Sequence, residues 1–139
     1  MQRIVIDTNV LVSALMSNSY PAFVVDMFFK DAPVQWCISD AVFLEYEDVL
    51  TRPKFGKYPG FTANAESLLD DIDMNAEKFT PIIKVDIISD YDDNRFLELA
   101  LACNAEFLIT GNTNDFTMSS FGQTRIITPK QYWEQYRVD

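Results

Sequence analysis

The chain opens MQRIVIDTNVLVSAL (residues 1–15), and the reading of its first seven positions decides the fold. Ile4-Val5-Ile6 is β-branched and unbroken by polar residues. That is the pattern of a strand buried on both faces of a parallel sheet, not the alternation of a sheet with one wet face. The run stops at an acid, Asp7, and apolar residues resume at Val10. A parallel strand needs a crossover before the next one, and residues 9–17 read as its first helix. In open parallel sheets ligands bind beyond the carboxyl ends of the strands. Asp7 therefore stands where a crevice is expected.

Further along, YPAFVVDMFFK (20–30) predicts a second helix with Pro21 in its first turn, and VQWCI (34–38) a second strand. Ser39 or Asp40 can cap the helix that runs to about Leu50. RPKFGKYPGF (52–61) holds two prolines and two glycines and reads as a loop. Residues 62–78 form an amphipathic, acid-rich helix, 82–88 (IIKVDII) an extended segment, and 90–104 a helix with an apolar body. EFLIT (106–110) is a strand, GNTND (111–115) a turn, and 125–127 the last strand; Thr128-Pro129 then opens a terminal helix, cap followed by proline. This alternation predicts an α/β fold with a central parallel sheet and helices on both faces. No repeat or linker divides it, and 139 residues suit one domain spanning 1–139.

Composition narrows the chemistry. Hydrophobic residues make up 48 %, enough for a packed core. No apolar stretch approaches the roughly 18 residues of a membrane span, and the N-terminus lacks the features of a signal peptide; a cytoplasmic protein is expected. Cys37 and Cys103 read as buried reduced thiols. There is no histidine, which rules out Ser-His-Asp and Cys-His catalysis and histidine zinc sites. The net charge of −10 argues against passive binding of nucleic acid. A polyanionic substrate would need a divalent cation or a local basic patch. Four glycines without G-x-G-x-x-G exclude a dinucleotide fold, and Asn9 in the second position spoils a D-x-D phosphatase motif.

Other acids can join Asp7. Glu45 lies at the border of the apolar stripe Val42, Phe43, Tyr46, Val49 and Leu50, whereas Asp48 falls on the opposite, solvated side. SDYDDN (89–94) puts Asp92 and Asp93 in the first turn of a buried helix. The strand EFLIT delivers Asn112 and Asp115 to the same sheet edge. Each has an ordinary structural reading: a turn residue for Asp7, a solvated helix face for Glu45, and capping for Asp90 with Asp93. Three or four carboxylates meeting in one crevice would repel one another unless protons or a cation intervened. Mg²⁺ or Mn²⁺ suits such a donor set.

VIDTNVLVSAL, SDAVFLEYEDVLTRPKF, DYDDNRFLELALACNAEFLITGN and RIITP, in this order, resemble a PIN-domain protein, most of all the bacterial toxins of toxin–antitoxin pairs of the VapC type. The resemblance runs from residue 3 to about 136. It implies a three-layer α/β/α sandwich similar to a flap-endonuclease core. It also implies a Mg²⁺- or Mn²⁺-dependent endoribonuclease. Asp7, Glu45 and Asp93 match the family's first three acids, Asp93 by its spacing to Ala100. The fourth falls in a T-G-D or T-R-D motif, and here Thr110-Gly111-Asn112 departs from it. Asn112 can still coordinate through its amide oxygen, or Asp115 can supply the carboxylate. In this reading Asn9 orients Asp7 or the following loop, Thr8 and Thr110 contact phosphate or water, and Asp92 supports the site; plain capping explains Thr8, Asn9 and Thr110 equally well.

The resemblance also implies an RNA substrate and a small antitoxin partner. Arg52, Lys54 and Lys57, interleaved with Phe55 and Tyr58, could track RNA phosphates and stack on bases; alternatively the loop is solvated and its aromatics pack inward. The acid-rich helix is either a solvated face or a dock for a basic antitoxin segment. Helix 22–29 is core, or in part a homodimer contact. The rival to the nuclease reading is a catalytically silent PIN-fold module that binds an antitoxin or RNA, an alternative that Asn112 keeps open.

Overall fold

The computed structural model describes residues 1–30, 33–111 and 116–138. β1 (Gln2–Ile6) leads through α1 (Thr8–Met16) and α2 (Tyr20–Met27) to β2 (Val34–Ile38). Next come α3 (Asp40–Leu50), a 3₁₀ turn (Pro53–Lys57), α4 (Phe61–Asn75) and the short β3 (Glu77–Lys78). α5 (Tyr91–Cys103) precedes β4 (Phe107–Ile109), β5 (Ser120–Phe121) and β6 (Thr124–Ile127). A last helix, α6 (Pro129–Gln131), continues as a π-helical turn over Tyr132–Tyr136.

The sheet order is β3-β2-β1-β4-β6-β5, parallel except for the β5–β6 pair. The chain steps outward from β1 to β2 and β3, then returns to the far side of β1 for β4. Right-handed crossovers therefore place α1, α2 and α4 on one face and α5 on the other, with α3 touching α1, α4 and α5. The contacts agree: α1 meets α2 and α4, while α5 packs on β1, β2 and β4. Ile4, Val5, Ile6, Cys37, Ile38, Leu108 and Ile109 are fully buried between these layers, as the unalternated β-branched runs require.

The predicted caps form. Ser39 accepts a hydrogen bond from the Val42 amide at the start of α3. Thr128 and Gln131 form a reciprocal capping box around Pro129.

Two expectations need correction. The acid-rich helix ends at Asn75, and Glu77–Lys78 is not its last turn but an edge strand beside β2. Segment 82–88 joins no sheet. It lies against α5, whose side chains replace the missing strand partner. Val85 donates its N–H to Glu98 Oε2 (2.9 Å) and its carbonyl accepts from Arg95 Nη2 (3.1 Å). Ile87 and Ile88 donate to Asn94 Oδ1 (3.1 and 2.9 Å).

Candidate active site at the strand switch

The sheet changes direction between β1 and β4, both parallel and adjacent, and the crevice beyond their carboxyl ends is the place for a ligand. Asp7 follows β1 there and is only 4 % exposed. Its amide donates to Ile109 O (2.9 Å), which fixes its backbone to the end of β4. Asp7 occupies the N-cap position of α1, yet its carboxylate makes no cap bond. Instead Oδ2 accepts from Thr110 Oγ1 (2.7 Å) and Asn9 Nδ2 (3.1 Å). Asn9 Oδ1 in turn accepts from the Gly111 amide (3.1 Å). Asn9 and Thr110 thus both hydrogen-bond the Asp7 carboxylate. The Thr8 hydroxyl is buried and has no hydrogen-bond partner among the described residues, a polar atom left for water or ligand.

α3 crosses beside this end of the sheet because Tyr46 anchors it. Tyr46 is fully buried, donates to Ile6 O (2.5 Å) and packs edge-on to Trp36. Its neighbour Glu45 is half-buried. Burial first, then the negative charges of Asp92, Asp48 and Asp7, push the Glu45 carboxyl up to about 7, with Arg52 pulling the other way. Acids distant in sequence therefore share one electrostatic neighbourhood, contributed by β1, α3 and α5.

Asp92 is exposed and Asp93 half-buried in the first turn of α5, whose cap Asp90 accepts from the Asp92 amide (2.9 Å). Asn94 holds this turn in place, a role the sequence reading did not assign. It is 1 % exposed and uses its whole amide: Oδ1 takes the Ile87 and Ile88 amides, and Nδ2 donates to Ile88 O (2.8 Å) and Asp90 O (3.2 Å). The available signal was an asparagine at the start of an apolar helix, where a side-chain amide can bind a preceding loop. Asn94→Ala should destabilise the protein by about 2–4 kcal/mol, because several buried backbone groups lose partners; a urea melt measures it.

Asn112 and Asp115 lie outside the described residues. Among the described ones, no three carboxylates close into a cage able to hold a metal on their own. The tight convergence of three or four acids expected from sequence is thus not seen among the described residues. The donors still fit a hard cation. They are all oxygen, and Mg²⁺ usually takes one or two carboxylates and completes its shell with water and substrate phosphate.

The basic loop adjoins the acids. Arg52 pairs with Asp48 (3.0 Å) on α3 and lowers the proton affinity of Glu45. Lys54 and Lys57 are exposed. Phe55 is not available to bases: it is buried and stacks on Phe61 with ring centres 4.7 Å apart. Tyr58 stays 38 % exposed.

Three comparisons place this arrangement among known proteins. Residues 3–114 match the family model of the PIN domain. The protein MJ1680 of Methanocaldococcus jannaschii is 27 % identical over 143 aligned positions, covering 96 % of this chain and 91 % of that protein. Among solved structures, VapBC2 from Rickettsia felis, bound to a DNA fragment from their promoter, superposes with a TM-score of 0.56 at 17 % identity, over 91 % of this chain and 98 % of that one. VapBC-1 from nontypeable Haemophilus influenzae gives 0.54 at 14 % identity, over 84 % and 91 %. At these identities the two structures speak for the fold.

Proposed function

The chain belongs to the PIN domain family, and from that premise we propose that it is a divalent-metal-dependent endoribonuclease acting as the toxin of a toxin–antitoxin pair. The observation that carries this is the buried Asp7 carboxylate at the carboxyl end of β1, clamped by Thr110 and Asn9, beside Glu45, whose carboxyl is pushed up to about 7 by burial first and then by the charges of Asp92, Asp48 and Asp7. Burial of a carboxylate among other acids is unfavourable for its charged form and is relieved by a cation.

Asp7, Glu45 and Asp93 would hold Mg²⁺ or Mn²⁺, with Asp115 or Asn112 completing the donors and Asp92 adding negative potential. Such a cation supplies a Lewis acid for the phosphoryl oxygens and raises the acidity of water. The protein's own part is positional. Thr110 and Asn9 fix the Asp7 carboxylate, and Tyr46 fixes the strand end beneath it. Asn94 sets the turn that carries Asp92 and Asp93. The Thr8 hydroxyl is available to a phosphate oxygen or water. With no histidine in the chain, a carboxylate is the protein's proton acceptor.

Arg52, Lys54 and Lys57 supply the positive charge that an acidic protein needs to draw RNA to this edge. Replacing Arg52 and Lys54 together by alanine should weaken RNA binding and reduce its salt slope by about two. Filter binding at several salt concentrations tests this, and an unchanged slope rejects the loop as an RNA contact.

The antitoxin proposal draws on the two VapBC structures of like fold. The exposed acids of α4, Glu66, Asp70, Asp71 and Asp73, offer a basic segment an electrostatic partner. The nuclease reading is tested by incubating the protein with total RNA and Mg²⁺ or Mn²⁺, beside Asp93→Ala, and mapping the ends. Discrete cuts by the wild type alone support it. Equal cutting by both proteins, or none by either, rejects it.

A further inference from the structure

The chain holds two cysteines, far apart in sequence, and the fold brings them together. Trp36 packs on Phe28, just past α2, with ring centres 4.7 Å apart. Side chains alternate along a strand, so Cys37 of β2 points to the opposite face, the one that α5 covers. Cys103 ends α5. Its carbonyl accepts from Arg3 Nη1 (3.2 Å), and Arg3 lies opposite Gln35 on β2. Both cysteines are fully buried and free, and their thiols hydrogen-bond one another. Each thiol's contact with a carbonyl of its own element is long, 3.8 Å to Gln35 O and 3.9 Å to Ala100 O. Such weak bonds do not hold either sulfur back from the other. A hollow of about 340 Å³ opens at this corner of the sheet, lined by Met1, Arg3, Gln35, Glu77, Asn104 and Glu106. Its polar wall admits water and solutes of similar size.

We infer that Cys37 and Cys103 form a redox-active pair, closed by hydrogen peroxide into a disulfide that ties α5 to β2. A single buried thiol is inert, but here the second thiol is already in contact with the first. The two are not equivalent. The hydrogen bond from Cys37, and behind it the Arg3 charge, hold the Cys103 thiol below its ordinary value against the effect of burial. The same bond, followed by burial, pushes the Cys37 thiol up. Cys103 is therefore the nucleophile, since the thiolate is the reactive form. Its sulfur attacks one peroxide oxygen and the O–O bond breaks. The departing hydroxide leaves as water with the Cys103 proton, and Cys103 becomes a sulfenic acid. The Cys37 sulfur then attacks the Cys103 sulfur. The S–S bond forms, the S–O bond breaks, and the oxygen leaves as a second water with the Cys37 proton. Two electrons pass from the sulfurs to the peroxide. The disulfide closes a long loop, which removes freedom from the unfolded chain and raises the melting temperature.

The inference is independent of the nuclease reading and is tested without RNA. The folded protein is treated with hydrogen peroxide, then unfolded in N-ethylmaleimide, and its intact mass and non-reducing peptide map are read. The wild type should lose two hydrogens, take up no maleimide, and yield one peptide pair joining Cys37 to Cys103 within a single chain. Dithiothreitol should reverse the change. The oxidised protein should melt about 5–10 °C higher than the reduced one. Cys37→Ala and Cys103→Ala, each verified as folded by circular dichroism, should form no such link. Two thiols still open to maleimide after peroxide overturn the inference. So does a disulfide that forms only between chains, or one that forms only in urea, where the fold no longer brings the sulfurs together.

Discussion

Asp7→Asn is expected to slow RNA cleavage by about 10²–10³-fold, the loss typical when one group serving transition-state charge is removed, while the fold stays intact. The geometry explains why the two effects separate. Among the described contacts, the hydrogen bonds from Thr110 and from Asn9 land on the same carboxylate oxygen, Oδ2. An asparagine carbonyl can accept both, so the clamp survives and only the charge is lost. Rates from a fluorogenic RNA with saturating Mn²⁺, together with a circular dichroism melt, provide the test. Cleavage comparable to wild type would remove Asp7 from the machinery. A collapsed melting curve would show that its charge is structural.

The second large effect concerns Glu45 and runs in the opposite direction for stability. Its carboxyl is raised from 4.5 to about 7 in the folded chain. A group raised on folding favours the folded state below its unfolded value, and that contribution is lost as pH climbs through the folded value. Between about pH 4.5 and 7 the metal-free protein therefore loses stability from this residue, and at pH 8 it carries the whole penalty. Glu45→Gln removes it. The variant should be more stable than wild type at pH 8 by on the order of 1 kcal/mol, after allowing for solvent screening at a half-exposed site. That is a melting shift of roughly 2–4 °C, and the gain should vanish at pH 4. The same variant should lose most RNA cleavage and most of the stabilisation that Mn²⁺ gives the wild type. A substitution that strengthens the fold and disables the site is the signature of a residue kept for function at a cost in stability. Equal melting of variant and wild type at pH 8 would mean that burial and the neighbouring acids do not raise the Glu45 carboxyl in the folded chain.

Much of this site could be read in the sequence because it sits where strands end. Ile4-Val5-Ile6 followed by Asp7 predicts both the buried strand and the acid beyond it, and EFLIT predicts β4 (Phe107–Ile109), with Thr110 just past its end. What sequence could not supply is the direction of the side chains. Asp7 reads as a turn residue after a strand, yet its carboxylate turns to Thr110, a contact across 103 residues with no local signature. IIKVDII has strand composition but is held by Asn94, Arg95 and Glu98, because side chains can satisfy a backbone as well as a neighbouring strand does. β3 and β5 have two residues each, too short for any periodicity to register. Phe55 shows the limit of composition: basic and aromatic neighbours suggested base stacking, but burial against Phe61 makes the ring a structural anchor for the loop.

The central claim is that side chains from β1, α3 and α5 meet on one divalent cation. Anomalous diffraction from a crystal soaked in Mn²⁺ addresses it without recourse to activity. The expected result is a peak at the carboxyl end of β1, with Asp7 and at least one of Glu45 and Asp93 placing an oxygen about 2.1 Å away. An empty crevice at saturating Mn²⁺, with the ion bound elsewhere or nowhere, would contradict the account.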